Sequence, residues 1–500
     1  MTTSNQAAAP AGRGLEGVHP NRLFVASCMS LIATAICFAV IGDIMGTLKT
    51  QFILTNEQVG WIGGAALWGF TISIFVLGPL CDALGMRNLM RFAFLCHLAG
   101  VIIMVAATGF WMLFIGALVL ALGNGTVEAA CNPLVATIYP DRKTQKLNQF
   151  HMWFPGGIVL GGLAAYAIGR VDPSLWQLKL AVILVPTAIY GILFAGQKFP
   201  LTERVQSGVS FGGMVAETFG RPLFLVLLFC MMITASLELG PGRWVPAVLE
   251  AGGIAGILVL CYINGLMAIL RYFAGPVVHR LSNTGVLLIS SVLAGVGLLG
   301  LSYSTTTAMA FATATVFALG VCYFWPTMLG TVAERVPKGG ALALALMGGI
   351  GMAAVGLVTS PQMGKVADRY LHQELVQKQE QTRKVLAAIV ADFPGEAAKA
   401  PNDVVRREIT EAAKAAADVL ARASAGELPQ GDTANALRAA IRAAGESKAA
   451  KEAKALLLPA DNHGGLMSFR YVAPFAIVLV VVFGVLYIRD RAAGIPSAGS

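Results

Sequence analysis

The sequence predicts an all-α membrane protein with twelve transmembrane helices in two pseudo-symmetric six-helix bundles, and a helical extracytoplasmic insertion between helices 11 and 12. Three observations carry that prediction. Of 500 residues, 56% are hydrophobic and only 13% charged, with a mean hydropathy of +0.70; a soluble chain carries about 25% charged residues. Apolar stretches long enough to cross a bilayer recur along the chain. The two halves of the chain also echo each other.

The first six spans are expected near 23–48, 58–80, 88–108, 110–139, 149–169 and 176–197, and the second six near 222–250, 254–280, 284–303, 307–334, 339–366 and 469–489. All should be helices, because backbone polar groups in lipid must be satisfied within the segment. Lys and Arg set the orientation. Arg13 and Arg22 precede the first span, Arg87 and Arg91 follow the second, Arg142, Lys143 and Lys146 the fourth, and Lys198, Arg204 and Arg221 the sixth. Arg280, Arg335, Lys338, Arg489 and Arg491 continue the alternation, whereas the intervening loops are poorer. The positive-inside rule therefore puts both termini in the cytoplasm. The expected organisation is a tail (1–22), a bundle (23–197), a linker (198–221), helices 7–11 (222–366), the insertion (367–467), helix 12 (468–489) and a tail (490–500). The first apolar stretch is too long for the core of a cleavable signal. The net charge of +9 reads as topology and contact with lipid headgroups in an inner (plasma) membrane. Nucleic-acid binding is not expected, since no basic patch interleaved with aromatics appears.

The internal echo is specific in places. GPLCDALG at 78–85 corresponds to AGPVVHRLS at 274–282, and NPLVATIYPDR at 132–142 aligns with WPTMLGTVAER at 325–335. Duplicated bundles of this kind pack about a central cavity at the bilayer midplane. The 367–467 region differs, being rich in Ala, Lys, Glu and Arg. Its Ala-rich runs favour helix, and Pro394, Pro401, Pro429 and Pro459 should divide it into three or four short helices. It reads as a structural cap or spacer, with a partner- or ligand-docking module as the alternative. All eight cysteines lie in or beside spans without metal-type spacing, and read as small core residues. No cofactor or metal is expected. No nucleophile–base or metal constellation points to an enzyme.

Glu128 carries most of the functional signal. A carboxylate in hydrocarbon is costly and by default faces a protein interior or a water-filled cavity. Asn124, Glu128 and Asn132 recur every fourth residue and share a helix face. Asp43 lies similarly in the first span. Desolvation disfavours the charged form of a carboxyl, so such an acid suits a moving proton or hydrogen bonding to a polar solute; a helix-to-helix hydrogen bond is the alternative. The amides of Asn124 and Asn132 both donate and accept, which suits hydroxyl-rich solutes, although polar residues also join helices. His151 could serve proton transfer or bond a backbone carbonyl. Trp153, Trp244 and Trp325 could stack on a sugar face or anchor at the interface. Glu238, Asn264 and Arg271 form the polar set of the second half; Arg271 is expected to pair with an acid, with snorkelling to the cytoplasmic interface as the alternative. Asp82, Arg87, Asp141, Arg142, Glu334 and Arg335 line the expected cytoplasmic rim as ion pairs that break and remake as the halves rock.

The segment Gly78-Pro-Leu-Cys-Asp82-Ala-Leu-Gly85-Met-Arg87 resembles the signature of the major facilitator superfamily: a Gly, an Asp four on, a Gly three on, then a basic residue. A closer resemblance covers roughly the first 170 residues. GDIMGTLKTQFILTNEQVGWIGGAALWGF, ALGNGTVEAACNPLVATIYP and KLNQFHMWFPGG look like the fucose–galactose:proton symporter family. Asp43, Glu128, Asn132, Pro133, Lys146, Leu147 and Asn148 match its pattern. The family's two acids are implicated in proton coupling and sugar recognition, which the resemblance carries to Asp43 and Glu128. The chain departs at Gly42, where the fucose transporter has Asn, and at His151 and Phe154, where it has Gln and Asn. The expectation is a monomeric secondary transporter that takes up a sugar or related small hydroxylated metabolite with a proton. An uncoupled facilitator or exporter, and a non-transporting receptor using the 367–467 module, are the alternatives.

Overall fold

The computed structural model describes residues 16–493 apart from 53, 55, 173, 424 and 425; Arg13 and the ends of both expected tails lie outside the described residues. These residues contain helices and no strand. The first half comprises α1 (Pro20–Gln51), α2 (Asn56–Leu77), α3 (Met86–Val105), α4 (Phe110–Ile138), α5 (Lys143–His151), α6 (Trp153–Val171), α7 (Trp176–Ala181) and α8 (Leu184–Phe194). A linker helix, α9 (Phe211–Phe219), starts at Ser210, whose Oγ accepts from the Gly213 amide at 3.0 Å. The second half continues with α10 (Pro222–Ala251), α11 (Gly256–Tyr272), α12 (Ala274–Leu301), α13 (Thr307–Val321), α14 (Phe324–Arg335) and α15 (Gly340–Ala353). Then come α16 (Ser360–Gln377), α17 (Gln379–Ala398), α18 (Asp403–Ala423), α19 (Asp432–Ala443), α20 (Lys448–Val472) and α21 (Phe475–Ala492).

Ten of the helical runs are long and apolar enough to cross a membrane, and two shorter apolar helices, Trp61–Leu77 and Gly256–Tyr272, accompany them. Several runs are interrupted where sequence showed one span. The fifth breaks at Met152, between α5 and α6. The sixth breaks after Ala181, where the Val182 and Ile183 amides turn back to Lys179 and Leu180 at 3.3 and 3.1 Å. The run Ala274–Leu301 is two helices joined at Ser282, which sits at φ +60°, a conformation that non-glycine residues rarely adopt. It is held there by its own Oγ, which accepts from the Gly285 amide.

The 367–467 region forms its own apolar cluster, with Leu375, Leu386, Ile389, Phe393, Val419, Leu437 and Leu457 buried. Its helices do not follow the proline count. Pro401 and Pro429 fall between helices, but Pro394 and Pro459 lie inside α17 and α20. A proline removes one backbone hydrogen bond, and burial of Phe393 and Ala397 beside Pro394 keeps the helix together. Nor do helices end at 366/367 or 467/468: α16 and α20 run through both positions. Seven of the eight cysteines are buried and Cys261 is exposed. Among the described residues no cluster of His, Cys, Asp or Glu could hold a metal ion.

Several side-chain contacts between the halves lie at one end of the molecule. Thr144 Oγ1 donates to Glu334 at 2.6 Å and accepts from Asn283 Nδ2 at 3.1 Å, and Lys143 Nζ reaches the Ala333 carbonyl at 3.2 Å. Two glycines make the approach possible. A Cβ on Gly330 would lie 2.2 Å from Thr144 Oγ1, and one on Gly78 would lie 2.0 Å from the Ala345 Cβ.

Candidate functional site

The site is built on the second half of α4. Three glycines fix this helix tightly: a Cβ on Gly116 would meet Met104 at 2.5 Å, one on Gly123 would meet His97 at 2.7 Å, and one on Gly125 would meet Ser73 at 2.1 Å. Small residues let helices approach this closely. Farther on, Pro133 lies inside the helix and removes the amide that would bond the Ala129 carbonyl. Between the clamp and the proline sits Glu128, 4% exposed.

Glu128 is not alone. Asn132 Nδ2 donates to Glu128 Oε2 at 2.6 Å. Its Oδ1 lies 2.9 Å from His151 Nε2, and that nitrogen is 3.8 Å from Glu128 Oε2. Because the Asn132 amide hydrogens face the carboxylate, its oxygen is left to accept, so His151 Nε2–H is the donor. His151 ends α5 just before the break at Met152, which turns its carbonyl toward the second half. Arg271 Nη1 donates to that carbonyl at 3.1 Å. Arg271 Nη2 donates to Glu238 Oε1 at 2.8 Å, and Nε to the Cys322 carbonyl at 2.5 Å. Both members of this ion pair are buried, Arg271 at 2% and Glu238 at 7% exposure. A buried pair is supported by further hydrogen bonds; here two carbonyls accept from Arg271, while Glu238 Oε2 has no partner among the described residues. Trp325 is buried beside them, with its ring against Gly351 and Gly348.

The structure thus brings together Glu128, Asn132, His151, Glu238 and Arg271, with Trp325 near. It does not bring Asp43 there. Tyr139 Oη donates to Asn21 at 2.9 Å, which fixes α1 against α4. Counting the helical rise outward from that contact puts Asp43 roughly 17 Å beyond Glu128 along the bundle. There its side chain is 40% exposed and pairs with Lys179 at 2.6 Å. Asn264 donates to the Leu260 carbonyl of its own helix at 2.9 Å. Trp153 is half-buried against the core, and Trp244 packs over Gly364.

Asn124 has a partner that sequence reading missed. Its Oδ1 lies 2.9 Å from His97 Nε2, and His97 Nδ1 lies 2.9 Å from Tyr190 Oη. All three are buried, tying α3, α4 and α8 together. A lone His inside an apolar span was the signal. The rim also pairs differently from expectation. Asp82 accepts from Thr202 and from Arg204 Nε, each at 2.5 Å, so its partners come from the linker. Arg87 donates to the Gln197 carbonyl. Arg335 pairs with Asp490, which also accepts from Thr284 Oγ1 at 2.9 Å. Asp141 and Arg142 are exposed. Gly85 holds φ +80°, where glycine carries no Cβ penalty. Linker and C-terminal side chains reach this rim because helix ends bring them there; no spacing within the spans encodes it.

The family that the chain matches is one of transporters. The Major Facilitator Superfamily model matches residues 23–361, and the chain belongs to that family. It is 26% identical over 188 residues to "Solute carrier family 2, facilitated glucose transporter member 10" of Xenopus tropicalis, covering 36% of this chain and 34% of that one. It is 25% identical over 164 residues to the "D-xylose transporter" of Levilactobacillus brevis, covering 32% and 35%. The chain therefore spans about a third of the length of the curated relatives it matches. The crystal structure of the transporter FucP in the outward conformation superposes with a TM-score of 0.58 at 16% identity, over 69% of this chain and 92% of that one.

Proposed function

We propose that the chain is a twelve-span carrier that takes up a sugar or related small hydroxylated metabolite together with a proton. The observation that carries this reading is the buried chain Glu128–Asn132–His151, joined through Arg271 to Glu238 in the other half. Glu128 lies about 16 Å along α4 from the Tyr139 end, close to half of a roughly 30 Å hydrocarbon layer. Similarity to a facilitated glucose transporter and a D-xylose transporter supports a sugar as substrate.

In this reading the ten long spans and two short apolar helices all cross an inner membrane, with both termini cytoplasmic and the 367–467 module outside. The end that carries the Thr144–Glu334 contact is then cytoplasmic, and the state is open to the outside. Glu128 takes the proton, Asn132, His151, Glu238 and Trp325 contact the solute, and Asp43 serves as an outer acid beside Lys179. Rocking breaks the Thr144–Glu334 and Lys143–Ala333 contacts and opens the inner side. Gly78, Gly330, Asp82, Arg87 and Arg335 shape that inner gate.

A second reading, an uncoupled facilitator, is favoured by one observation: Asp43 is occupied by Lys179. Uptake of radiolabelled glucose and xylose by proteoliposomes, with and without an imposed pH gradient, separates the two. Accumulation against a concentration gradient only under inward proton force supports coupling; equilibration alone supports the facilitator.

A further inference from the structure

The outer part of α10 is weakly held by its own backbone. Pro241 and Pro246 lie within the helix, so two of its carbonyls lose their amide donors. At its end the Gly252 amide turns to Leu249 at 3.0 Å, which leaves the Val248 carbonyl without the donor a continuing helix provides. That carbonyl is met from outside the helix: Asn462 Nδ2, on α20, donates to it at 2.7 Å. Glycines let the partners close. A Cβ on Gly465 would lie 2.3 Å from Val248 Cγ2, one on Gly252 would lie 2.6 Å from Asn462 Nδ2, and one on Gly464 would lie 2.3 Å from the Ala367 carbonyl of α16.

A second irregularity faces the first. Between α15 and α16 the helix winds as a π-segment over Ala354–Thr359, a feature that accumulates at functional sites. Thr359 Oγ1 donates to Ser236 Oγ at 2.6 Å, two residues before Glu238, and a Cβ on Gly240 would lie 2.9 Å from Thr359 Cγ2. Two backbone irregularities therefore meet beside Glu238. Beyond them the outer arm of α10 is bound to α20, and α20 in turn to α16.

We infer that Asn462 is a positioning residue for the Glu238–Arg271 pair, through which the 367–467 module holds the outer arm of α10. The module and the arm form one body that turns at the Ser236–Thr359 contact, so the module's placement sets where Glu238 stands. The inference deepens the uptake reading and rests on it for its kinetic part.

The test uses the full chain in proteoliposomes. Asn462→Ala raises the KM for the transported sugar about fivefold, equivalent to about 1 kcal/mol at tenfold per 1.4 kcal/mol, with kcat unchanged, and Asn462→Gln restores it. Gly252→Ala, which displaces the Asn462 amide from the other side, acts as Asn462→Ala does. Hydrogen exchange of the amides over 239–251 quickens in both variants and stays as in wild type in α2 and α3. Wild-type exchange over 239–251 in both variants overturns the inference outright. Quickened exchange with a wild-type KM overturns the positioning role. If the wild-type protein transports no sugar, the uptake reading falls, and amide exchange still decides whether the latch exists.

Discussion

Arg271 of the second half donates to the backbone carbonyl of His151 in the first at 3.1 Å. The side chain of His151 faces Asn132 and Glu128, while the other donors of Arg271 hold Glu238 and Cys322. One residue at a helix break therefore belongs to both polar sets, by its ring to one and by its carbonyl to the other.

Glu128 is the first test of coupling. Glu128→Gln keeps the size and the hydrogen-bonding oxygen but cannot be ionised. The variant should lose accumulation driven by a pH gradient while still exchanging labelled for unlabelled sugar across the membrane. Wild-type accumulation by this variant would show that the proton travels elsewhere.

Removing one partner of the buried ion pair should cost stability as well as transport. Arg271→Met leaves Glu238 without its counter-charge, and breaking a buried pair costs about 3–5 kcal/mol. The thermal midpoint in detergent should fall sharply, and Glu238→Leu added to it should recover much of the loss. A midpoint unchanged in the single variant contradicts the pairing.

Gly330→Ala should push the halves apart. Its Cβ would lie 2.2 Å from Thr144 Oγ1, and overpacking costs about 1–3 kcal/mol. Spin labels at positions 141 and 338 should report a shift toward longer separations. An unaltered distance distribution would mean that Thr144 yields locally and that the contact does not govern the state.

Asp43 and Lys179 form a partly exposed pair, so a double-mutant cycle on thermal stability with Asp43→Asn and Lys179→Gln should give a coupling of roughly 1 kcal/mol or less. In Asp43→Asn, the pH dependence of uptake should survive if Glu128 carries the proton. Its disappearance would move that role to Asp43.

Sequence revealed the membrane-spanning helical class and the face shared by Glu128 and Asn132, because helical spacing and the cost of a charge in lipid act locally. Arg271 was legible as seeking an acid for the same reason, and Glu238 is that acid. What was hidden depends on three-dimensional register. Asp43 lies in a span, as expected, yet the length of α1 carries it far from Glu128. Asn124 shares the face of Glu128, but His97 occupies it from a neighbouring helix. The charges at the rim were visible, while their partners Arg204 and Asp490 come from a linker and a terminal helix. Pro394 and Pro459 misled because packing on both sides held their helices together.

Helices α16 and α20 pass without a break from the second bundle into the 367–467 module. That continuity ties the module to the second half, so its tilt relative to the first half should follow any motion between the two. An antibody fragment or a pair of fluorophores placed on it would read such motion away from the Glu128 and Arg271 side chains.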